Sequence, residues 1–458
     1  MQAWAEQEVR SVQLGDTRLK RRLIHLLEDL TARPAASVPE ACGDWADTKG
    51  AYRFWDSPRV EAEAIRKAHQ ESTVERLVAH STVLVAQDTT ELDFTHHPAT
   101  QGLGPLDRPW HQGLKVHSAL TVSAQGVPLG IIHQEVWARD RETIGKRHQR
   151  YQLETKDKES QRWLTAVQAS QESIPEGIQV ITVADREADI YDLFATPRRA
   201  GVHLLIRATH NRLVDDAARY LWAAIKQSPV QGQVTIELRR KDNQPPRQAT
   251  LTVRYAGLAI QPPRNRKGRA ALQSIPLQVV LAREENAPPQ VTPVCWLLLT
   301  TLPCSSFAEA IQCVQWYSYR WLVERYHFVL KSGCYLEELQ LEKAERIQRA
   351  LATYSIVAWR LLWLTYEARE NPDAPCDTVL EAHEWQALYC MTHKTSILPG
   401  TPPTLHEAVR WIAKLGGFLG RKSDGEPGVK TIWRGLRRLD DMAATWQSLH
   451  ANLPPVDT

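Results

Sequence analysis

An α/β fold is what this sequence predicts: a mixed sheet covered by helices, interrupted by a further run of strands, with helical segments before and after it. Three observations carry that reading. Up to about residue 80 the apolar positions recur at helical spacing. From residue 81 the period changes, and short apolar runs that end in acids or turn residues alternate with amphipathic stretches. From about residue 307 helical spacing returns, cut by Pro-containing loops near 372–375 and 398–403.

The elements follow in order. Asp16 is placed to cap a helix over TRLKRRLIHLLEDL, with Leu19, Leu23, Leu26, Leu27 and Leu30 as its apolar stripe. Arg18, Lys20, Arg21 and Arg22 crowd its first turns; for a lone helix a solvated basic face is the better reading of them. A second helix is expected over VEAEAIRKAHQESTVERLVA, ending near residue 80. STVLVAQDTT (81–90) then reads as a buried strand closing at Asp88, and 115–137 as two strands around a Gln-Gly turn. A helix over 158–170, a strand running into a helix over 177–194 and a strand over 201–208 complete a mixed sheet. Between 213 and about 302 lie four more strand-like runs, at 233–240, 249–258, 276–283 and 293–301, separated by the basic turns KDNQPPRQ (241–248) and PPRNRKGR (262–269). These predict a β insertion. A long helix over roughly 307–332 and a helical C-terminal third follow. The expected domains are thus 1–72, 73–370 with the insertion at about 213–302, and 371–458. A core that folds without residues 1–60 is expected from the same division.

Composition narrows the function classes. With 458 residues the chain can bury sizeable cores in two or three domains. Lys plus Arg number 56 against 53 Asp plus Glu, so whole-chain charge neither demands nor excludes nucleic acid. Seven cysteines without a C-x-x-C pair argue against a disulfide framework or a zinc site, and for a reducing cytosol. His96, His97, His117 and His133 lack zinc-ligand spacing and read as packing or turn residues. No apolar stretch approaches the eighteen residues of a membrane span, and the first residues do not resemble a signal peptide.

The candidate chemistry lies in three acids and one helix. Asp88 and Asp185 each close an apolar strand, at the edge where open α/β sheets bind ligands. Taken singly, either is as readily a cap or turn residue. Tyr317, Arg320, Glu324 and Lys331 stand at i, i+3, i+7 and i+14, which places them in one stripe about 60° wide at ~100° per residue. A Tyr, an Arg, a Glu and a Lys in so narrow a line suit a surface that meets a phosphate and a metal together. Hard divalent cations take oxygen ligands, and two such ions can activate a hydroxyl and stabilise a leaving oxygen. Arg320 and Lys331 would neutralise phosphate.

These residues carry a resemblance. The chain is similar to the bacterial cut-and-paste transposases of the insertion-sequence-four family. Their Y-x2-R-x3-E-x6-K signature is matched by Tyr317, Arg320, Glu324 and Lys331. The family aspartates are matched by Asp88 in Q-D-T-T and by Asp185 in D-R-E-A-D-I (185–190). QLGDTRLKRRL, GAYRFW (50–55), WLLLT (296–300) and KLGGF (414–418) extend the likeness over essentially the whole chain.

The resemblance implies a ribonuclease-H-like catalytic core with a β-strand insertion, flanked by an N-terminal helical DNA-end-binding domain and a C-terminal helical dimerisation domain. It implies a metal-dependent DNA transposase with Asp88, Asp185 and Glu324 as catalytic and metal-binding residues, magnesium as cofactor with manganese able to substitute, and a homodimer in the synaptic complex. Nicking, hairpin formation and opening, and strand transfer into target DNA would follow, in the bacterial cytoplasm at the nucleoid. By the same matching Arg207 contacts DNA phosphate and Trp296 stacks on a flipped base; Trp296 lies in an apolar run, and core packing is the alternative. A hydrolase on the same core that cuts without joining, and a DNA-binding protein that has lost catalysis, are the alternatives.

Overall fold

The computed structural model describes residues 4–143, 154–238, 247–264, 269–422 and 424–450. Most of both basic turns of the insertion, 239–246 and 265–268, lie outside the described residues. In chain order the helices and strands are α1 (Trp4–Glu8), α2 (Thr17–Ala32), α3 (Val38–Cys42), α4 (Trp45–Asp56), α5 (Ala62–Leu77), β1 (Thr82–Asp93), β2 (Gly104–Pro105), β3 (Gln112–Ser123) and β4 (Pro128–Trp137). Then come α6 (Gln161–Ser173), β5 (Gln179–Ala184), α7 (Tyr191–Ala195), β6 (Val202–Arg207), α8 (Leu221–Gln227), β7 (Gly232–Leu238), β8 (Arg247–Ile260), β9 (Ile275–Glu284) and β10 (Cys295–Thr300). The chain ends in α9 (Phe307–Ser318), α10 (Trp321–Phe328), α11 (Ala344–Glu370), α12 (Ala382–His393), α13 (Leu405–Leu415) and α14 (Val429–His450). Among the described residues no helix is long and apolar enough to cross a membrane.

The chain divides into two compact units that do not follow chain order: 1–77, 89–145 and 324–458 form one, and 78–88 with 146–323 the other. The second unit holds a sheet in the order β1-β5-β6-β10-β9-β8-β7. β1, β5 and β6 are parallel, and β10 returns antiparallel on β6. The insertion strands therefore do not build a separate β layer; β10 joins them edge-on to the core sheet. Trp163 of α6, Phe194 of α7 and Leu221 of α8 pack with Leu204 and Ile206 of β6 and Leu299 of β10 in one apolar cluster.

The first unit is organised around α11. Eighteen of its 27 residues are buried, on every side of the helix, as a helix apolar all round must be. α2 forms as expected: Asp16 caps it by accepting from the Arg18 amide, and Leu23, Leu26, Leu27 and Leu30 are buried. α2, α4 and α5 pack on α11, and the buried Trp55 of α4 donates from Nε1 to Thr353 Oγ1 at 3.3 Å. The GAYRFW segment is thus structural in part: Phe54 and Trp55 are core, and Gly50 lies under Arg22, where a Cβ would meet the guanidinium carbon at 2.6 Å. Removal of residues 1–60 would uncover the α11 surface that these leucines and aromatics cover, which weighs against a core that folds without them. At the other end Gly416 and Gly435 let α13 and α14 approach backbone to backbone, since a Cβ on Gly435 would stand 1.8 Å from the Ile412 carbonyl oxygen.

One buried polar network ties α1 into this unit. Glu8 of α1 accepts from Arg76 (2.7 and 3.1 Å) and from His69 Nδ1 (2.6 Å), while His69 Nε2 accepts from the Ile131 amide at 2.9 Å, so this imidazole is neutral. Burial alone would raise the Glu8 pKa, but Arg76 and His69 reverse this and hold it down to about 2. Burial pushes the His69 pKa below its usual value. Both shifts are downward, so both contributions are full at neutral pH and lost on acidification. The unfolded chain takes up the His69 proton first, below about pH 6.5, and the Glu8 proton below about pH 4.5. The Glu8 part amounts to about 3 kcal/mol between pH 4.5 and 2. Urea unfolding across this range should show it, and Glu8→Gln should flatten the curve below pH 4.5.

Candidate active site

The two aspartates are set by strand register. β1 pairs β5 in parallel from Thr82↔Gln179 to Ala86↔Val183. Continued two residues past its last pair, this register would bring Asp88 level with Asp185, which follows directly on β5; neighbouring strands lie about 4.8 Å apart. Val83 to Gln87 and Val180 to Ala184 are all buried, as parallel strands covered on both faces are. Asp88 does not end its strand, as the sequence suggested. It follows the fully buried run, and β1 continues through half-buried Thr89 to Glu91 and buried Leu92 to Asp93.

The D-R-E-A-D-I segment divides its acids between different tasks. Asp185 caps a short 3-10 turn at Arg186–Ala188, its Oδ1 accepting from the Glu187 amide at 2.9 Å. Glu187 pairs with Arg162 at 2.8 Å. Asp189 is buried, and its carboxylate accepts from the Thr209 and His210 amides (2.8 and 2.9 Å) and from Arg212 Nε and Nη2 (2.9 and 2.6 Å). Arg212 also donates to the Asp189 carbonyl at 2.6 Å. Asp189 thus fixes the loop that leaves β6, a role that sequence reasoning missed.

Around Tyr317 the same unit collects four of the other candidates. Trp296 of β10 meets its ring edge to face, with centroids 5.1 Å apart. The Arg320 guanidinium carbon stands 6.0 Å from the ring. Burial raises the Tyr317 hydroxyl pKa; Arg320 and Arg207 draw it back and Asp185 adds to the rise, so all three charges lie within electrostatic reach. Arg207 is held by donating to the Cys295 carbonyl oxygen at 2.8 Å, one residue from Trp296. Trp296 itself is half-buried, unlike Leu297 to Leu299 beside it.

The long helix expected over 307–332 is interrupted twice. α9 starts at a capping box, Ser306 with Glu309, and ends at Ser318. The amides of Tyr319, Arg320, Leu322 and Val323 then bond three residues back, to Trp316, Tyr317, Tyr319 and Arg320. After α10 comes a π turn over Val329–Gly333, with the Cys334 amide bonding Val329 five residues back. A 3-10 step advances each residue by more than the α-helical angle and a π step by less. The uniform 100° wheel that put Tyr317, Arg320, Glu324 and Lys331 in one stripe therefore does not describe this segment.

The remaining candidates belong to the first unit. Glu324 opens that unit's last segment, inside α10. Lys331 Nζ donates to the Glu91 carbonyl oxygen at 2.8 Å and pairs with Glu337 at 3.1 Å. On α2, Arg18 pairs with its own cap Asp16 (3.0 Å), Lys20 donates to the Arg10 carbonyl oxygen (2.5 Å) and Arg22 pairs with Asp47 (2.5 Å), while Arg21 is exposed. Among the described residues no three of His, Cys, Asp or Glu form a ready-made cage for a metal ion. The level pair Asp88 and Asp185 nonetheless fits a hard divalent cation, which takes one or two carboxylates and fills its shell with water and phosphate oxygens.

Three family models match this chain. One described as transposase DNA-binding covers residues 1–60, one described as transposase DDE domain covers residues 86–360, and one described as transposase Tn5 dimerisation domain covers residues 356–446. The DDE match spans well over half of the 458 residues, and a DDE domain implies a ribonuclease-H-like core and the use of divalent metals. The chain belongs to the DDE transposase family, an enzyme that joins a DNA-binding segment, a DDE catalytic domain and a Tn5-type dimerisation domain.

Proposed function

We propose that Asp88, Asp185 and Glu324 are the acidic triad of this transposase, with magnesium as the working ion, and that it moves its element by cutting and pasting. The observation that carries the reading is the neighbourhood of Asp185: a carboxylate level with Asp88, with Arg207, Arg320 and a half-exposed Trp296 gathered around Tyr317. Divalent ions, when bound, supply activation of a water or 3′-hydroxyl and stabilisation of the leaving oxygen. Arg320 and Arg207 hold the phosphate being cut, and Lys331 neutralises a further one. Arg18, Lys20, Arg21 and Arg22 lie along the backbone of the transposon end, with Arg22 also buttressing α4. The N-terminal domain reads the end, and the C-terminal domain holds two protomers in the synaptic complex with target DNA. The enzyme acts in the bacterial cytoplasm, at the nucleoid. On this reading domains fall near 1–72, 73–370 and 371–458.

Trp296 supplies the test. Closing a hairpin at a cut end demands sharp bending, and stacking a flipped base on an indole is worth about 1–3 kcal/mol. Because Trp296 is only half-buried, Trp296→Ala should keep its melting temperature. With end DNA and magnesium it should nick at near wild-type rate, yield about tenfold fewer hairpins, and open a pre-formed hairpin normally. Wild-type protein given a free 3′-hydroxyl end and target DNA should make joined products. A protein that cuts but never joins is a hydrolase, and equal hairpin yield from the mutant removes Trp296 from the site.

A further inference from the structure

A groove of about 1060 Å³ lies wholly within the first unit and has the candidate Lys331 in its wall. Its floor is aromatic. Phe328 and Trp433 face each other with ring centroids 5.8 Å apart, and Gly333 lies so close that a Cβ would stand 3.0 Å from the Trp433 ring. Its walls are basic: Lys331 on one side, and Lys430, Arg434, Arg437 and Arg438 of α14 on the other. The four α14 cations fall at i, i+4, i+7 and i+8, all exposed, so they line one face of the helix.

The acids of this groove are largely engaged. Glu337 pairs with Lys331 and accepts from the Asp93 amide at 2.8 Å, and Asp441 pairs with Arg33 at 2.9 Å. Glu338 is exposed at the rim. Of the cations, Arg437 pairs with Glu40 and Arg438 donates to the Leu415 carbonyl oxygen, whereas Lys430 and Arg434 have no ion-pair partner among the described residues. A second, independent feature stands at the same mouth. Tyr335 is 47% exposed and holds a left-handed backbone at φ 47°, a conformation that a bulky residue adopts only at a cost.

We propose that this groove is a binding track for the phosphate backbone of duplex DNA, with Lys430 and Arg434 as phosphate contacts and Tyr335 packing its ring on an exposed sugar or base. It puts DNA binding on a helix that the family match assigns to dimerisation, and it rests on the reading of the chain as a DNA-binding enzyme. Phosphate is the shared chemistry of transposon-end and target DNA, and the two are separated by the arms of the test.

The test is a titration of full-length protein in EDTA with labelled end duplex and, separately, random duplex, at several salt concentrations. Two variants are compared with wild type: Lys430→Ala/Arg434→Ala, and Tyr335→Gly. The double variant should lose about tenfold or more in affinity, and its salt dependence should fall by roughly 2 in slope. Tyr335→Gly should bind about fivefold more weakly while melting no lower than wild type, because glycine accepts the left-handed backbone without strain. Loss on both duplexes, or on the end duplex alone, supports the track and places end DNA in it. Unchanged EDTA affinity with slower strand transfer into supplied target places target DNA there. Wild-type affinity, slope and strand transfer in both variants overturn the proposal, as does lost dimerisation with DNA affinity retained. Cleavage is not read in EDTA, so a protein that binds as proposed yet never cuts DNA in magnesium fails the proposed function and not this one.

Discussion

Asp185→Asn should leave a folded, DNA-binding protein that does not cut. Asparagine keeps both the size of the side chain and an oxygen able to cap the turn at Arg186–Ala188, so the local structure survives. What is lost is the negative charge that a divalent cation requires. Asp88→Asn and Glu324→Gln should behave alike, each lowering cleavage by at least about 10²–10³-fold in magnesium, while end binding stays within about twofold because affinity rests on Lys and Arg. Cleavage and gel-shift assays on the same preparations decide it. A variant that cuts at near wild-type rate is not a variant of a ligand.

Asp189→Ala should fail differently. The Asp189–Arg212 pair is buried on both sides, with 0% and 7% of the side chains exposed, and the same carboxylate holds two loop amides. Removing it leaves a buried guanidinium without its counter-charge, which costs about 3–5 kcal/mol. In a chain of this size the melting temperature should drop by about 3–5 °C, with activity lost in proportion to folded protein. Asp189→Leu combined with Arg212→Met should recover much of that stability, since replacing a whole buried pair by apolar groups is close to neutral. A protein whose melting temperature is unchanged but which has lost all cleavage would instead make Asp189 part of the chemistry.

The contrast between Asp185 and Asp189 shows where sequence reasoning reaches its limit. The strands were legible because Val83–Gln87, Val180–Ala184 and Val202–Arg207 are nearly continuous apolar runs, the pattern of buried parallel strands. The block D-R-E-A-D-I was legible as a unit, but not the allotment of one acid to the sheet edge and another to a buried clamp. That allotment depends on Arg212 and on amides at 209 and 210, which no local pattern connects to residue 189. The helix bearing Glu324 was misread for a related reason. Residues 307–332 keep helical propensity throughout, and the change from α to 3-10 to π spacing leaves no mark in apolar periodicity. Trp296 was undecidable in sequence because its neighbours Leu297 to Leu299 are core; only its exposure separates it from them.

The packing of α2 against α11 and α14 has a consequence for the newly made chain. Arg33, just past the end of α2, pairs with Asp440 and Asp441 at 2.7 and 2.9 Å, more than 400 residues away along the backbone. At about 5–20 residues per second, the partners of α2 leave the ribosome about 20–80 s after it does. Through that interval the leucines of α2 have no final surface to cover, and the closing contacts are among the slowest kind to form. The segment that matches the DNA-binding model is translated well before α14 and is among the last to be finished. A chain cut short before α14 would carry every residue of the DNA-binding segment and still lack its full support.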